Sequence, residues 1–238
     1  IVTTIILAVL SPLVVKPIVS NRRKQKEFIT SASHELKTPL TVISADSQIL
    51  EAEIGENEWL SDIMKQTARM TEMTHRLVYL AKAEEVDENT VKIEFPVSDV
   101  AEEIAEGYKS VASNDGRIYN INVCSDITYR GDEKAVKELV TVLLDNAFKY
   151  GTKNGFVSVN LSRDGNGIKF YVENSVADID SSEISRFTER FYRADSSDKT
   201  KGFGIGLSIA KAVAEAHGGK LAVELTTPQT IRFSATLK

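Results

Sequence analysis

The sequence predicts a chain in two parts: an all-α helical hairpin that pairs into a dimeric four-helix bundle, followed by an α+β sandwich. Three observations carry this prediction. From residue 20 to residue 83, apolar residues recur at steps of three and four, broken only by a turn at Gly55. An acidic run without periodicity, Glu84 to Asn89, then separates that pattern from the C-terminal part of the chain. Beyond it, short alternating runs mix with helical ones without regular βαβ alternation, which favours one mixed sheet under a layer of helices. At 238 residues the chain is long enough for each part to bury its own core.

Residues 1–19 stand apart from both. Ile1 to Val15 is apolar and uncharged, yet at about 1.5 Å per residue it reaches only about 22 Å, short of a hydrocarbon core of about 30 Å. Lys16, Arg22, Arg23, Lys24 and Lys26 come after the apolar run, the order of the cytoplasmic exit of a membrane helix and not of a secretory signal. No initiator methionine is present. We therefore expect a membrane-anchor remnant and juxtamembrane segment from a longer protein. Pro12 and Pro17 leave a short helix packed on the soluble part as the alternative.

Ser20 and Asn21 suit the N-cap of a first helix that runs through His34 to about Ala52, with Ile29, Ala32, Leu36, Leu40 and Ile43 as its stripe. Gly55 to Glu58 turns the chain. The second helix begins near Trp59 and carries Leu60, Ile63, Thr67, Met70, Thr74, Leu77 and Ala81 along a coiled-coil seam. Two helices cannot cover both stripes, so a homodimer is expected for the unit 20–88. His75 falls off the seam and reads as a solvated or packing residue.

The unit 89–238 opens with a strand over Val91 to Phe95 and a helix capped by Ser98 and ending near Ala112. Ile118 to Val123 and Ile127 to Arg130 are short strands, Glu133 to Tyr150 a helix, and Phe156 to Leu161 with Ile168 to Val172 a hairpin around Asp164 to Gly167. A glycine loop, a helix from Leu207 to Ala216 and strands at Lys220 to Leu225 and Ile231 to Leu237 complete it. The formal charge of −5 argues against a nucleic-acid partner. A single cysteine, Cys124, excludes an internal disulfide or a thiolate metal cluster and reads as a small core residue.

Chemistry concentrates in the first helix. In Phe28 to Leu40, His34, Glu35, Lys37 and Thr38 lie outside the apolar stripe, and Pro39 removes a backbone donor, so the helix is expected to bend or loosen one turn beyond His34. A neutral imidazole is a nucleophile, and a carboxylate such as that of Glu35 can hold its other proton.

On the helix after Asp132, the stripe is Val136, Leu139, Val140, Leu143 and Ala147, while Asn146, Lys149 and Tyr150 run along its edge. An amide in that position needs partners. Gly202, Gly204 and Gly206, followed by Leu207, open a helix, where backbone donors and the helix dipole suit an anion. Between these elements, Val176 to Lys201 is polar and long, the profile of an active-site lid. It carries Phe187 and Phe191, and the basic flank Arg186, Arg190 and Arg193. His217, ahead of Gly218 and Gly219, reads as a last-turn residue favoured by the helix dipole.

His-Glu-Leu-Lys-Thr-Pro-Leu (His34 to Leu40) resembles the phosphoacceptor box of bacterial sensor histidine kinases. Leu-Leu-Asp-Asn-Ala-Phe-Lys-Tyr-Gly (Leu143 to Gly151) resembles the N-box of the histidine kinase and gyrase type of ATPase. Gly202 to Leu207 resembles that family's second glycine box, and Arg-Phe-Thr-Glu-Arg-Phe-Tyr-Arg resembles its F-box. The resemblance covers residues 20–238 and implies ATP-dependent phosphorylation of His34, assisted by Glu35, and transfer to a response-regulator aspartate. It further implies Mg²⁺ on Asn146, phosphate near Lys149, Arg190 and Arg193, and Tyr150 at the pocket. Thr38 is expected to position water for a phosphatase activity. The location implied is the bacterial cell membrane, with the catalytic part in the cytoplasm and the acidic linker as hinge.

Two departures stand out. Asn174-Ser-Val-Ala-Asp178 replaces the usual Asp-x-Gly-x-Gly, and Val142 replaces an upstream asparagine. Asn174 is expected to contact the base and to discriminate ATP from GTP poorly, because an amide can both accept and donate. A phosphotransfer and phosphatase scaffold with a degenerate pocket is the alternative, and a gyrase-like ATPase clamp a third reading that leaves His34 unexplained.

Overall fold

The computed structural model describes residues 29, 31–33, 35–83, 92–177, 179–193 and 203–238. Expectations about the anchor segment, His34, the acidic linker, Asp178 and the stretch 194–202 with Gly202 lie outside these residues. The chain divides into two compact units, Ile1–Ala81 and Lys82–Lys238.

The first unit is a helical hairpin. Helix α1 covers residues 35–54, with 31–33 also helical, and α2 spans Glu58–Ala83. Asn57 starts α2, its side-chain oxygen accepting from the backbone N–H groups of Trp59 and Leu60 at 2.9 and 3.2 Å, which satisfies two otherwise orphaned donors. The helical assignment continues through Pro39, so the proline removes one backbone bond without ending the helix; Leu40, the next residue, is buried and ties that turn into the seam. Ser33, Leu40 and Ser47 are buried on α1, and Leu60, Thr67, Thr74 and Ala81 on α2, both series at seven-residue spacing. The other half of each predicted stripe remains open: Leu36, Ile43, Ile63 and Met70 are 44–50% exposed.

The second unit is a two-layer sandwich. Its main sheet has strand order β2-β4-β5-β7-β6, from Ile118–Val123, Phe156–Asp164, Gly167–Ser175, Thr230–Leu237 and Lys220–Thr227 respectively. Strands β2 and β4 run parallel and the remaining pairs antiparallel. Alternation places Val157, Val159, Leu161, Ile168, Phe170, Val172, Ile231, Phe233, Ala235 and Leu237 on one face, all buried. Against that face lie α5 (Glu133–Tyr150) and α6 (Gly206–Ala216), which also pack on each other.

Three local expectations change. Strand β3 (Thr128–Gly131) does not join the main sheet but pairs with β1 (Ile93–Pro96) in a separate antiparallel ribbon, where Phe95 and Tyr129 meet edge to face at 6.1 Å. The helix expected from Ser98 begins at Val97 and breaks at Gly107, giving α3 (Val97–Glu106) and α4 (Lys109–Asn114). Ser98 is inside α3 and turns its hydroxyl to the Ile127 carbonyl at 3.4 Å, so it ties the helix to the ribbon instead of capping it. Cys124, expected in the core, is exposed just after β2. No helix among the described residues is long and apolar enough to cross a membrane.

Candidate functional site

Helix α5 is fixed at both ends. At its start the Asp132 carboxylate accepts from Ala135 N–H at 3.1 Å, an N-cap. Its buried side carries Val136, Leu139, Val140, Val142, Leu143, Leu144, Ala147 and Phe148; Val142, where the resemblance calls for asparagine, is simply core. Asn146 and Tyr150 are half-buried along the edge and Lys149 is exposed, its Nζ 5.7 Å from the Tyr150 ring. All three predicted residues therefore sit in the last turn and a half of one helix, beside a core stripe.

At the end of β5, Asn174 faces the helix layer and is 1% exposed. Its Nδ2 donates to the Ser175 carbonyl at 3.1 Å, while Oδ1 is buried and without a hydrogen-bond partner. The α5 terminus meets it here. A side chain at Gly151 would approach the Asn174 Nδ2 to 3.0 Å, and Thr152 N–H donates to the Ser175 carbonyl at 2.9 Å. A buried carbonyl oxygen that has lost water without gaining a donor carries a desolvation cost of roughly 1–3 kcal/mol. An exocyclic amino group on a bound ligand would supply that donor. The Ser175 carbonyl takes one of the two Nδ2 hydrogens, so the atom of the amide left wholly without a partner is the acceptor Oδ1.

The glycine loop and the arginine segment meet on the other side. Gly204 has φ +66°, and a side chain there would lie 2.6 Å from the Tyr192 carbonyl oxygen, so only glycine fits. Phe191 N–H donates to the Gly204 carbonyl at 2.8 Å, with Phe191 itself at φ +63°. Helix α6 begins at Gly206 with no side chain capping it, which leaves its first amides and the positive end of its dipole for an anion. Gly206 and Leu207 are half-buried at that start.

The predicted lid is not structureless throughout: Ser181–Arg186 forms a 3-10 helix. Phe187 stacks on Tyr192 at 6.0 Å and the Arg186 guanidinium lies 4.2 Å from the same ring, whereas Phe191 is 56% exposed. Phe187 thus packs on the segment's own Tyr192, while Phe191 meets the glycine loop through its backbone and leaves its ring open. Arg190 is exposed and Arg193 half-buried. In the first unit, Glu35 and Thr38 are exposed on α1.

Sequence reasoning missed the buried contacts of two polar residues. His217 ends α6, as its last-turn reading has it, but it is 6% exposed: Nδ1 is 2.8 Å from the Val213 carbonyl and Nε2 accepts from Asp132 N–H at 3.1 Å, which pins the start of α5 to the end of α6. Arg117, just before β2, donates to the carbonyls of Ala147, Phe148 and Gly151 at the end of α5. The nearest sequence signal is Asp115, two residues away and paired with it at 3.0 Å.

Residues 24–86 match the family model of the His Kinase A (phospho-acceptor) domain, and residues 131–238 that of the Histidine kinase-, DNA gyrase B-, and HSP90-like ATPase. The chain is 31% identical over 216 residues to the Sensor protein DltS of Streptococcus agalactiae serotype V (strain ATCC BAA-611 / 2603 V/R), covering 89% of this chain and 54% of the relative. It is 34% identical over 235 residues to the Sensor histidine kinase YkoH of Bacillus subtilis (strain 168), covering 89% and 48%. The chain thus spans about half the length of the curated relatives it matches. Among solved structures, full-length ShkA in complex with AMPPNP superimposes with a TM-score of 0.75 at 20% identity, covering 89% of this chain and 45% of that one. The mycobacterial sensor histidine kinase MprB gives 0.54 at 25% identity, covering 62% and 97%. At 20% identity the ShkA likeness speaks to the fold alone.

Proposed function

Because the chain belongs to the sensor histidine kinases of two-component systems, we propose that its second unit binds MgATP and gives the γ-phosphoryl group to His34. An aspartate of a response-regulator receiver domain then takes that group. The observation that carries the reading is the orphaned Asn174 acceptor at the end of β5, set beside the helix end that bears Asn146 and Lys149. Adenine presents an amino group to such an acceptor; guanine presents a carbonyl at the same ring position. We accordingly assign Asn174 a preference for ATP over GTP.

Phosphoryl transfer is mostly positioning and neutralisation of charge. Lys149, Arg190 and Arg193 are the cations assigned to the triphosphate, and the amides of Gly202, Gly204, Gly206 and Leu207 its backbone cradle. Asn146 offers a neutral, half-buried side-chain oxygen, a hard ligand suited to Mg²⁺; the ion would supply charge neutralisation on the phosphates, and Tyr150 would line the pocket beside it. In the transfer an imidazole nitrogen of His34 bonds to the γ-phosphorus, the bond to the β-γ bridging oxygen breaks, and ADP leaves. Glu35 holds the proton on the other ring nitrogen. Thr38 positions a water that attacks the phosphorus of the regulator's aspartyl phosphate, so that the acyl-phosphate bond breaks and inorganic phosphate leaves.

The hairpin supports a homodimer. Leu36, Ile43, Ile63 and Met70, with Val42, Ile49 and Leu50, stay exposed on a pair of helices whose remaining seam positions are buried, and a second copy covers such a stripe by closing a four-helix bundle. Attachment to the bacterial membrane, with this part in the cytoplasm, rests on the apolar and basic run of residues 1–26.

Incubation with γ-labelled ATP and Mg²⁺ tests the assignment. Acid-labile label is expected on the wild type and none on His34→Gln. Nucleotide binding without transfer would make the chain a phosphotransfer and phosphatase scaffold, a reading that the missing glycines after Asn174 favour. Phosphate released equally by both proteins would make it an ATPase clamp.

A further inference from the structure

Arg117 lies outside the four boxes, yet it is a buried cation at the helix end that carries Asn146 and Lys149. Its side chain is 2% exposed. Nη1 donates to the Ala147 carbonyl at 3.2 Å, and Nη2 to the carbonyls of Phe148 at 2.8 Å and Gly151 at 3.2 Å. Asp115 pairs with Nη2 at 3.0 Å, and the guanidinium lies 5.3 Å from the centre of the Phe148 ring. The Ala147 carbonyl also accepts from Gly151 N–H at 2.9 Å, but the last carbonyls of a helix lack intrahelical donors and form the negative end of its dipole, so a cation with several fixed donors suits both needs at once.

Local structure shows what the contact controls. Gly151, the C-cap of α5, leaves the helix in an extended conformation at φ −69° and ψ 151°. A side chain there would lie 3.2 Å from Arg117 Nη1 on one side and 3.0 Å from Asn174 Nδ2 on the other. Arg117 therefore grips the corner that fixes two things: the direction in which the last turn of α5 presents Asn146 and Lys149, and the wall against which the Asn174 amide rests.

On the reading proposed above, we infer that Arg117 is a positioning residue for nucleotide binding. It acts through the α5 terminus and the Gly151 corner without touching the nucleotide. Asp115 holds it in place from the β2 side, and Lys153, 3.4 Å from the other carboxylate oxygen, shares that anchor. The role is distinct from holding the fold together, because a cation alone satisfies the helix dipole whereas only a planar fork reaches three carbonyls.

Arg117→Lys separates the two roles. It keeps the charge at the helix end, but one ammonium cannot hold all three carbonyls in the same geometry. The expected result is a KM for ATP in His34 phosphorylation raised about tenfold or more, with kcat changed less, and the same loss in direct binding of a fluorescent ATP analogue. Arg117→Met is expected to raise KM further. Should that variant not fold, Arg117→Lys alone decides. The control is Phe95→Leu, which loosens the β1–β3 ribbon; it is expected to lower the melting temperature and leave KM unchanged. An Arg117→Lys protein whose KM and analogue affinity match the wild type, whatever its melting temperature, overturns the inference. A wild type that binds no ATP overturns the proposed function itself, a result distinguishable from the first.

Discussion

Asn146→Ala is expected to lower the rate of His34 phosphorylation at saturating ATP and Mg²⁺ by about 10²–10³-fold, the scale of removing one preorganised charge-stabilising group from a transition state. The substitution leaves the fold almost untouched. Asn146 is half-buried at the edge of α5, outside the apolar stripe, and alanine is the better helix former, so melting should be unchanged or slightly higher. What disappears is an oxygen that the proposed site presents to a hard cation, and the Mg²⁺ concentration giving half-maximal rate should rise with it. Asn146→Asp keeps an oxygen ligand and is expected to retain more activity than Asn146→Ala. Phosphorylation by Asn146→Ala within threefold of the wild type, at unchanged Mg²⁺ dependence, would remove Asn146 from the site.

Asn174→Leu is expected to weaken ATP binding by about tenfold to a hundredfold, the range for a hydrogen-bonding partner lost inside a pocket. It also brings ATP and GTP closer in affinity. The wild type is expected to prefer ATP by about a hundredfold, because guanine would set its carbonyl oxygen against the buried Asn174 Oδ1. Stability and binding should separate. Leucine has nearly the shape of asparagine and removes an acceptor that has no partner in the free protein, so the loss of the Nδ2 bond to Ser175 is offset and unfolding should shift little. A purely structural Asn174 would do the reverse, melting earlier with its nucleotide preference intact.

The seam of the hairpin was legible because period alone marks it: Leu40, Leu60, Thr67 and Ala81 are buried where the stripe placed them. The five long strands were legible through alternation. The β1–β3 ribbon was not, since a short alternating run does not state its partner, and Phe95 and Tyr129 choose each other only in three dimensions. At the proposed site, the types and order of Asn146, Lys149, Asn174, Gly204 and Gly206 stand in the sequence itself. The orientation of the Asn174 amide does not, because it is set by the Ser175 carbonyl and by the return of Thr152 from a different element. Arg117 and His217 escaped for a related reason. Both are polar residues whose burial depends on backbone groups far along the chain, Ala147 to Gly151 for one and Asp132 for the other.

The central claim is that a nucleotide held by the second unit phosphorylates one imidazole in the first. Mapping the phosphoryl group by mass spectrometry under neutral conditions, after brief exposure of the intact chain to MgATP, tests it most directly. The account predicts a single modified residue, His34, whose occupancy falls sharply in Asn146→Ala. Phosphate on another residue, or an unmodified His34 in a protein saturated with ATP, would contradict it.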